Sequence, residues 1–336
     1  MKNNIVKLEL NLSQEEAVNW NEGPLIVLAG PGSGKTTVLT QRIIRIIKNT
    51  SDERFRILAL TFTQNAARHM REKIDHVVSD SRERVYLTTF HSFCSDVIRQ
   101  HGELEKIKPD FSIMTQDVDR EELLLEIINE KKQAGLGFQK EDIRYLPKIN
   151  SYLEQCLVIE EEPIPDSDIN ISKYLFFHYL QKMRSTGRID YAGILYFAWL
   201  LLGKKHIAKH YNTVYKYICV DEYQDTNITQ FNVLTRLVKK EKPNLFVVAD
   251  DDQIVYQWNG ASPERLNQLI NTYNASIIQL PENYRCPPDV VEIANKMIAH
   301  NRNRYEAKKP GVSLINSKKL NSVTLKSFSD FNSEIS

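Results

Sequence analysis

The segment Ala29-Gly30-Pro31-Gly32-Ser33-Gly34-Lys35-Thr36-Thr37 stands directly behind the apolar run Leu25–Leu28. Glycines at this density let backbone N–H groups converge on anionic oxygens without interference from Cβ atoms. Lys35 can then reach the β- and γ-phosphates of a nucleotide, and the Thr36 hydroxyl can ligate Mg²⁺. A helix opening near Lys35 aims the positive end of its dipole at the same charge. The strict phosphate-loop pattern has glycine where this chain has Ala29, a residue small enough for the turn. A second cluster, ICVDEYQDT at 218–226, puts two acids at the end of another apolar run. Asp221 suits Mg²⁺ through its water shell, and Glu222 suits a general base for an attacking water. Adjacent acids here favour hydrolysis over transfer to a cosubstrate. A third cluster, VVADDDQIVYQWNGAS at 247–262, again follows an apolar run. Its Gln253 is a neutral hydrogen-bonding group suited to sensing a γ-phosphate. Tyr256 and Trp258 carry rings on which bases could stack, although packed core is the competing role for both.

These groups need a frame that brings them together. Continuous apolar runs at Leu25–Leu28, Ile57–Thr61, Val85–Thr88, Tyr217–Val220, Leu245–Val248 and Ile277–Leu280 predict strands buried on both faces of a parallel sheet. In such sheets ligands bind beyond the carboxyl ends of the strands, where the polar clusters fall. Helical spacing predicts covering helices over Thr37–Lys48 and Ala66–Val78. Residues 96–187 read differently: amphipathic stretches at 117–137 and 171–187 flank a turn-rich acidic segment at 160–168, and no buried-strand run interrupts them. A helical domain inserted between sheet strands is expected. After Asn283, Pro287-Pro288-Asp289 opens another helix, followed by Lys/Asn/Ser-rich sequence to Ser336.

Composition sets the outer limits. The chain has 336 residues, 42% of them hydrophobic, and a formal net charge of +1, so any nucleic-acid site must be local rather than global. Cys94, Cys156, Cys219 and Cys286 are scattered singly, without metal-ligand spacing, and Cys94 and Cys219 read as small core residues. No leader or membrane-spanning run is evident, and a soluble cytoplasmic protein is expected.

Taken together, the blocks resemble the UvrD/Rep/PcrA family of superfamily 1 DNA helicases. LNLSQEEAV (10–18) looks like the adenine-reading Q motif, in which Gln14 would clamp the base. AGPGSGKTT is similar to motif I, ALTFTQNAARHMREKI (59–74) to motif Ia, and TTFHSFC (88–94) to motif Ib. IDYAGIL (189–195) resembles the block before motif II, VDEYQDTNITQ resembles motif II, VVADDDQIVYQWNGAS motif III, and LPENYRCP (280–287) motif IV. The resemblance implies an α/β fold: a RecA-like P-loop domain in two parts (1–95 and 188–279), a helical insertion at 96–187, and at 280–336 the opening of a second RecA-like domain. It implies ATP and Mg²⁺ as cofactor and metal, with residues 29–37 as the cradle, Tyr284 stacked on adenine, and Arg285 reaching the γ-phosphate as a sensor. It also implies single-stranded DNA, or a single-strand/duplex junction, touched by Thr61, Phe62, Thr89, His91, Tyr256 and Trp258.

This chain departs from the family at several places. Thr37 and Asn259 stand where arginines are usual, Ala192-Gly193 where acids are common, and Ala249 where glycine is usual. No later family motif is recognisable before Ser336, so a C-terminal half, on the same or a separate chain, is expected to supply the arginine finger, a group worth roughly 10³–10⁵ in rate. The expected activity is ATP hydrolysis driving 3′→5′ movement on single-stranded DNA, with the polarity implied by the resemblance alone. The alternative is a nucleotide-gated DNA-binding or assembly subunit of a recombination or phage-defence complex, without motor activity.

Overall fold

The computed structural model describes residues 9–51, 53–135, 139–149, 171–239, 241–255, 260–301, 304–305, 307–315 and 323. Its strands are β1 (Leu25–Ala29), β2 (Arg56–Thr61), β3 (Val85–Thr89), β4 (Ser112–Met114), β5 (Arg188–Asp190), β6 (Tyr215–Val220), β7 (Leu245–Ala249), β8 (Ser276–Leu280), β9 (Glu282–Asn283) and β10 (Val312–Ser313). Six of them form one sheet in the order β3-β2-β6-β7-β1-β8, parallel throughout. All six predicted runs are strands of this sheet, each extended by one or two residues.

The apolar runs are continuous because successive side chains enter two different cores. Ile26, Leu28, Leu58, Leu60, Ile218, Val220 and Val247 point to one face, whereas Val27, Ala29, Ile57, Ala59, Cys219, Phe246 and Val248 point to the other. Each fully buried aliphatic side chain contributes roughly 1.5–3 kcal/mol, so a polar residue at any of these positions would be costly. The second face is covered by the helices Lys35–Asn49 and Gln64–Asp75. The first begins two residues before the predicted Thr37 because the left-handed Gly34 ends the loop there. The second starts where the Thr63 side chain caps the Ala66 N–H at 3.1 Å.

On the first face the helix Tyr191–Gly203 lies between Phe90–His101 and Ile228–Leu237. It is buried from Gly193 through Trp199, which explains its unbroken apolar sequence. The helices Asp117–Gln133 and Ile171–Thr186 pack on each other beyond it, in the region read as helical. That region also holds β4, which the sequence reading did not anticipate. Only Met114 of its three residues is buried, so it has no apolar run, and it is a strand through parallel pairing of Ser112 with Arg188 and Met114 with Asp190 of β5. The pairing ties the departing and returning chain together. Arg188 Nη2 donates to both carboxylate oxygens of Glu126, at 2.6 and 2.7 Å. The acidic stretch 160–168 and Cys156 lie outside the described residues.

Candidate functional site

The carboxyl ends of the sheet strands carry the chemistry, in an order set by the strand order. Thr61 ends β2 and Phe62 follows it, and Thr89 ends β3 with His91 just beyond. Asp221 and Glu222 follow β6, the Asp250–Gln253 turn follows β7, the glycine loop follows β1, and Asn283 to Arg285 follow β8. Strand β1 lies between β7 and β8, so its loop opens at an interior crevice of the sheet.

The glycine loop is shaped and braced by contacts from far along the chain. Gly32 and Gly34 have φ of +71° and +87°, a region that other residues enter only with strain. A Cβ on Gly34 would stand 2.8 Å from Gln14 Nε2, and one on Gly32 2.7 Å from Arg285 Cβ. Gln14 is buried and donates to the Ser33 carbonyl at 2.9 Å, while its Oε1 accepts from Asn11 N–H at 3.1 Å as half of a capping box. Ser33 Oγ closes the turn on the Gly30 carbonyl at 2.7 Å. On the other side Asn283 Nδ2 donates to the Pro31 carbonyl at 2.7 Å, and the Tyr284 N–H donates to the Gly32 carbonyl at 2.9 Å. The Asn11 side chain donates to Tyr284 Oη at 2.8 Å, which joins the Q-like segment to the motif IV-like segment beside the loop.

Lys35 opens its helix with a nearly buried side chain. Its Nζ lies 3.4 Å from the Ala29 carbonyl, and 3.7 Å from both Glu222 Oε2 and Asp250 Oδ2. None of these is a short ionic hydrogen bond, so an anion of higher charge can displace them. Thr36 Oγ1 donates to Asp221 Oδ2 at 3.4 Å, bringing together the two groups predicted to hold Mg²⁺. Burial, and then the neighbouring Glu222 carboxylate, push the Asp221 carboxyl up to about 7, against the pull of Lys35. The carboxylate of Asp221 and the hydroxyl of Thr36 are oxygen donors of the kind that suit a hard ion such as Mg²⁺. Asp225, whose buried Oδ1 has no hydrogen-bond partner among the described residues, is raised in the same way to about 6 by burial and Glu222.

Glu222 itself sits at φ +49°, ψ 48°, an uncommon conformation for glutamate and of the kind found where structure holds a functional group in place. Its Oε2 accepts from Gln224 Nε2 at 2.8 Å, and Gln224 Oε1 accepts from the Asp250 N–H at 2.9 Å. One side chain thus links the acids after β6 to the turn after β7. In that turn the Gln253 N–H donates to the Asp250 carbonyl at 3.0 Å. Arg285 is exposed and its guanidinium is unpaired among the described residues.

Of the residues expected to face DNA, Thr61, Phe62, Thr89 and His91 lie at the β2–β3 edge, where Thr61 and Thr89 are register partners. Thr61 is only 1% exposed and donates its hydroxyl to the Thr63 carbonyl at 2.9 Å, whereas Phe62 beside it is half-buried. Thr89 caps the helix Phe90–His101 through the Ser92 N–H at 3.2 Å. His91 packs edge-on against Tyr191, ring centroids 5.2 Å apart, and burial lowers its pKa to about 4, so it is neutral at pH 7. Tyr256 and Trp258 lie outside the described residues, as does Asn259.

The sequence reading passed over Gln224 and Asn283 as site residues. Both stand in the polar stretch just after an apolar strand run, the same signal that marked Asp221 and Gln253. It also passed over Lys308, which has no local signal at all.

An all-parallel sheet with a phosphate-type loop after β1 and paired acids after β6 defines the class: a P-loop nucleotide-binding domain of RecA-like α/β fold. Within that class the chain belongs to the UvrD/REP helicase N-terminal domain family, whose profile matches residues 10–274. It is 30% identical over 306 residues to the ATP-dependent DNA helicase PcrA of Staphylococcus epidermidis, across 90% of this chain and 41% of that protein. Against PcrA of Staphylococcus aureus the identity is 30% over 298 residues, 88% of this chain and 40% of the relative. The chain therefore spans about two fifths of the length of these relatives. Among the described residues no helix is long and apolar enough to cross a membrane.

Proposed function

We propose that this chain is the ATP-binding N-terminal portion of a DNA helicase that hydrolyses Mg²⁺-ATP to move 3′→5′ along single-stranded DNA. Full activity would draw on a C-terminal half, on the same or a separate chain. The observation that carries the reading is the meeting of Lys35, Thr36, Asp221 and Glu222 within a few ångströms, with the β2–β3 edge alongside. Residues 29–37 cradle the phosphates, with Gln14 and Tyr284 beside the base. Thr36 and Asp221 hold Mg²⁺, which neutralises phosphate oxygens when bound. Lys35 leaves its two carboxylates for the β- and γ-phosphates, and Arg285 adds charge at the γ-phosphate. Glu222 accepts the proton of the attacking water; Gln224 engages its Oε2, and Oε1 is the oxygen offered for that task. Gln253 senses the γ-phosphate, and Phe62, Thr89 and His91 meet DNA through backbone and stacking contacts without reading sequence. The division into 1–95, 96–187, 188–279 and 280–336 belongs to the same proposal.

The test is the ATPase rate with and without single-stranded DNA, alone and with a candidate C-terminal half added in trans. Stimulation by DNA is expected, and K35A and E222Q are expected to abolish turnover while melting like wild type. Turnover that survives either substitution refutes the assignment. ATP and DNA binding with no stimulated hydrolysis in either format favours the non-motor assembly subunit instead.

A further inference from the structure

The acidic turn after β7 carries more charge than the chemistry above uses. Asp250, Asp251 and Asp252 have side chains at most 4% exposed, and their oxygens gather within 4.8 Å of one another. Three carboxylates so placed repel one another unless a cation is held among them. Lys308, from the segment after the helix Pro288–Ile298, is that cation. Its Nζ donates to Asp250 Oδ1 at 2.7 Å, Asp251 Oδ1 at 2.5 Å and Asp252 Oδ2 at 2.7 Å, one carboxylate for each ammonium proton. Arg304 adds a contact to Asp252 at 3.1 Å, and the Tyr305 N–H donates to Asp251 at 2.6 Å. Burial opposes the charge on Lys308, but the three carboxylates outweigh it and its pKa is raised. Asp250 is thus divided between two lysines, Oδ1 on Lys308 and Oδ2 at 3.7 Å from Lys35.

We propose that Lys308 is a positioning residue for nucleotide binding. It carries the charge of Asp250 so that Lys35 can leave for the phosphates, and it pins the turn that bears Gln253. The inference rests on the nucleotide reading above. Without Lys308, Asp250 has Lys35 as its remaining ion-pair partner among the described residues, and each phosphate contact made by Lys35 must first break a strengthened buried pair. A residue that merely fastened residues 301–309 to the domain would leave the grip of Lys35 on phosphate unchanged.

The experiment is titration of the full chain with a fluorescent ATP analogue and Mg²⁺, with folding followed by circular dichroism. K308M is expected to weaken binding by about tenfold or more, and K308R, which keeps the charge, to stay within about threefold of wild type. K308M/D250N removes one buried charge of each sign and is expected to recover binding to within about threefold of wild type. Wild-type affinity in K308M overturns the proposal, as does a double variant no tighter than K308M. If K308M does not fold, K308R and the charge-balanced double variant decide the matter by the same limits. Absence of binding in wild type defeats the nucleotide reading itself, an outcome visible before any variant is made.

Discussion

Asn283 is the joint between the phosphate loop and the segment bearing Tyr284 and Arg285, and N283A is the substitution that should reveal it. Three hydrogen bonds end on this buried side chain: Nδ2 to the Pro31 carbonyl at 2.7 Å, and the N–H groups of Arg285 and Cys286 to Oδ1 at 2.9 and 2.8 Å. Truncation to alanine leaves one carbonyl and two N–H groups in search of water at a site where the residue is 7% exposed. At about 0.5–1.5 kcal/mol for each lost bond, the cost is about 1.5–4.5 kcal/mol. For a chain of this size that is a fall of roughly 2–6 °C in melting temperature. Nucleotide binding should suffer as well, because the Arg285 and Cys286 N–H groups lose the acceptor that ties them to the loop, and the ligand must order that segment; about a tenfold loss of ATP affinity is expected. N283D should bind ATP more weakly than N283A, since it loses the donor to Pro31 and adds a negative charge beside the phosphates. Differential scanning calorimetry and equilibrium titration with ATP measure both effects. A melting temperature within 1 °C or so of wild type together with unchanged affinity would refute the role given to Asn283.

Other consequences can be measured on the same preparation. G34A forces alanine to φ +87° and sets its Cβ 2.8 Å from Gln14 Nε2, so ATP affinity should fall by at least about tenfold; binding at wild-type strength would mean that the loop adapts. Q14A removes the bond to the Ser33 carbonyl and half of the capping box, so the phosphate loop loses a brace and ATP affinity should fall; titration with ATP at wild-type strength would mean that the loop holds its shape without it. His91 titrates near 4 in the folded chain and near 6.5 when unfolded, so the unfolded state holds more protons between those values. Its contribution is therefore full above pH 6.5 and is lost as pH falls toward 4, by on the order of 1–2 kcal/mol for this half-buried ring. Urea unfolding of wild type and H91Q at pH 7.5 and 5 should show the gap moving in favour of H91Q at the lower pH.

The sequence by itself determined the local frame and the positions of the candidate groups along it. Glycine spacing, an acid pair after an apolar run, and residues bearing donors at strand ends are properties of short segments. The continuous apolar runs are legible for the same reason, because a strand covered on both faces needs apolar side chains at every position, as in Leu25–Ala29. What only the tertiary structure decided is which ends are neighbours. The order β3-β2-β6-β7-β1-β8 puts the acids after β6 and the turn after β7 between the glycine loop and the β2–β3 edge, and strand order follows from long-range pairing rather than local preference. Thr61 looked available in sequence and is enclosed once β2 is flanked on both sides by β3 and β6. Asn283 and Lys308 belong to unremarkable polar stretches. They gain their roles because folding carries one to the Pro31 carbonyl and the other into three carboxylates, contacts whose energy depends on proximity and dehydration that no short stretch of sequence encodes.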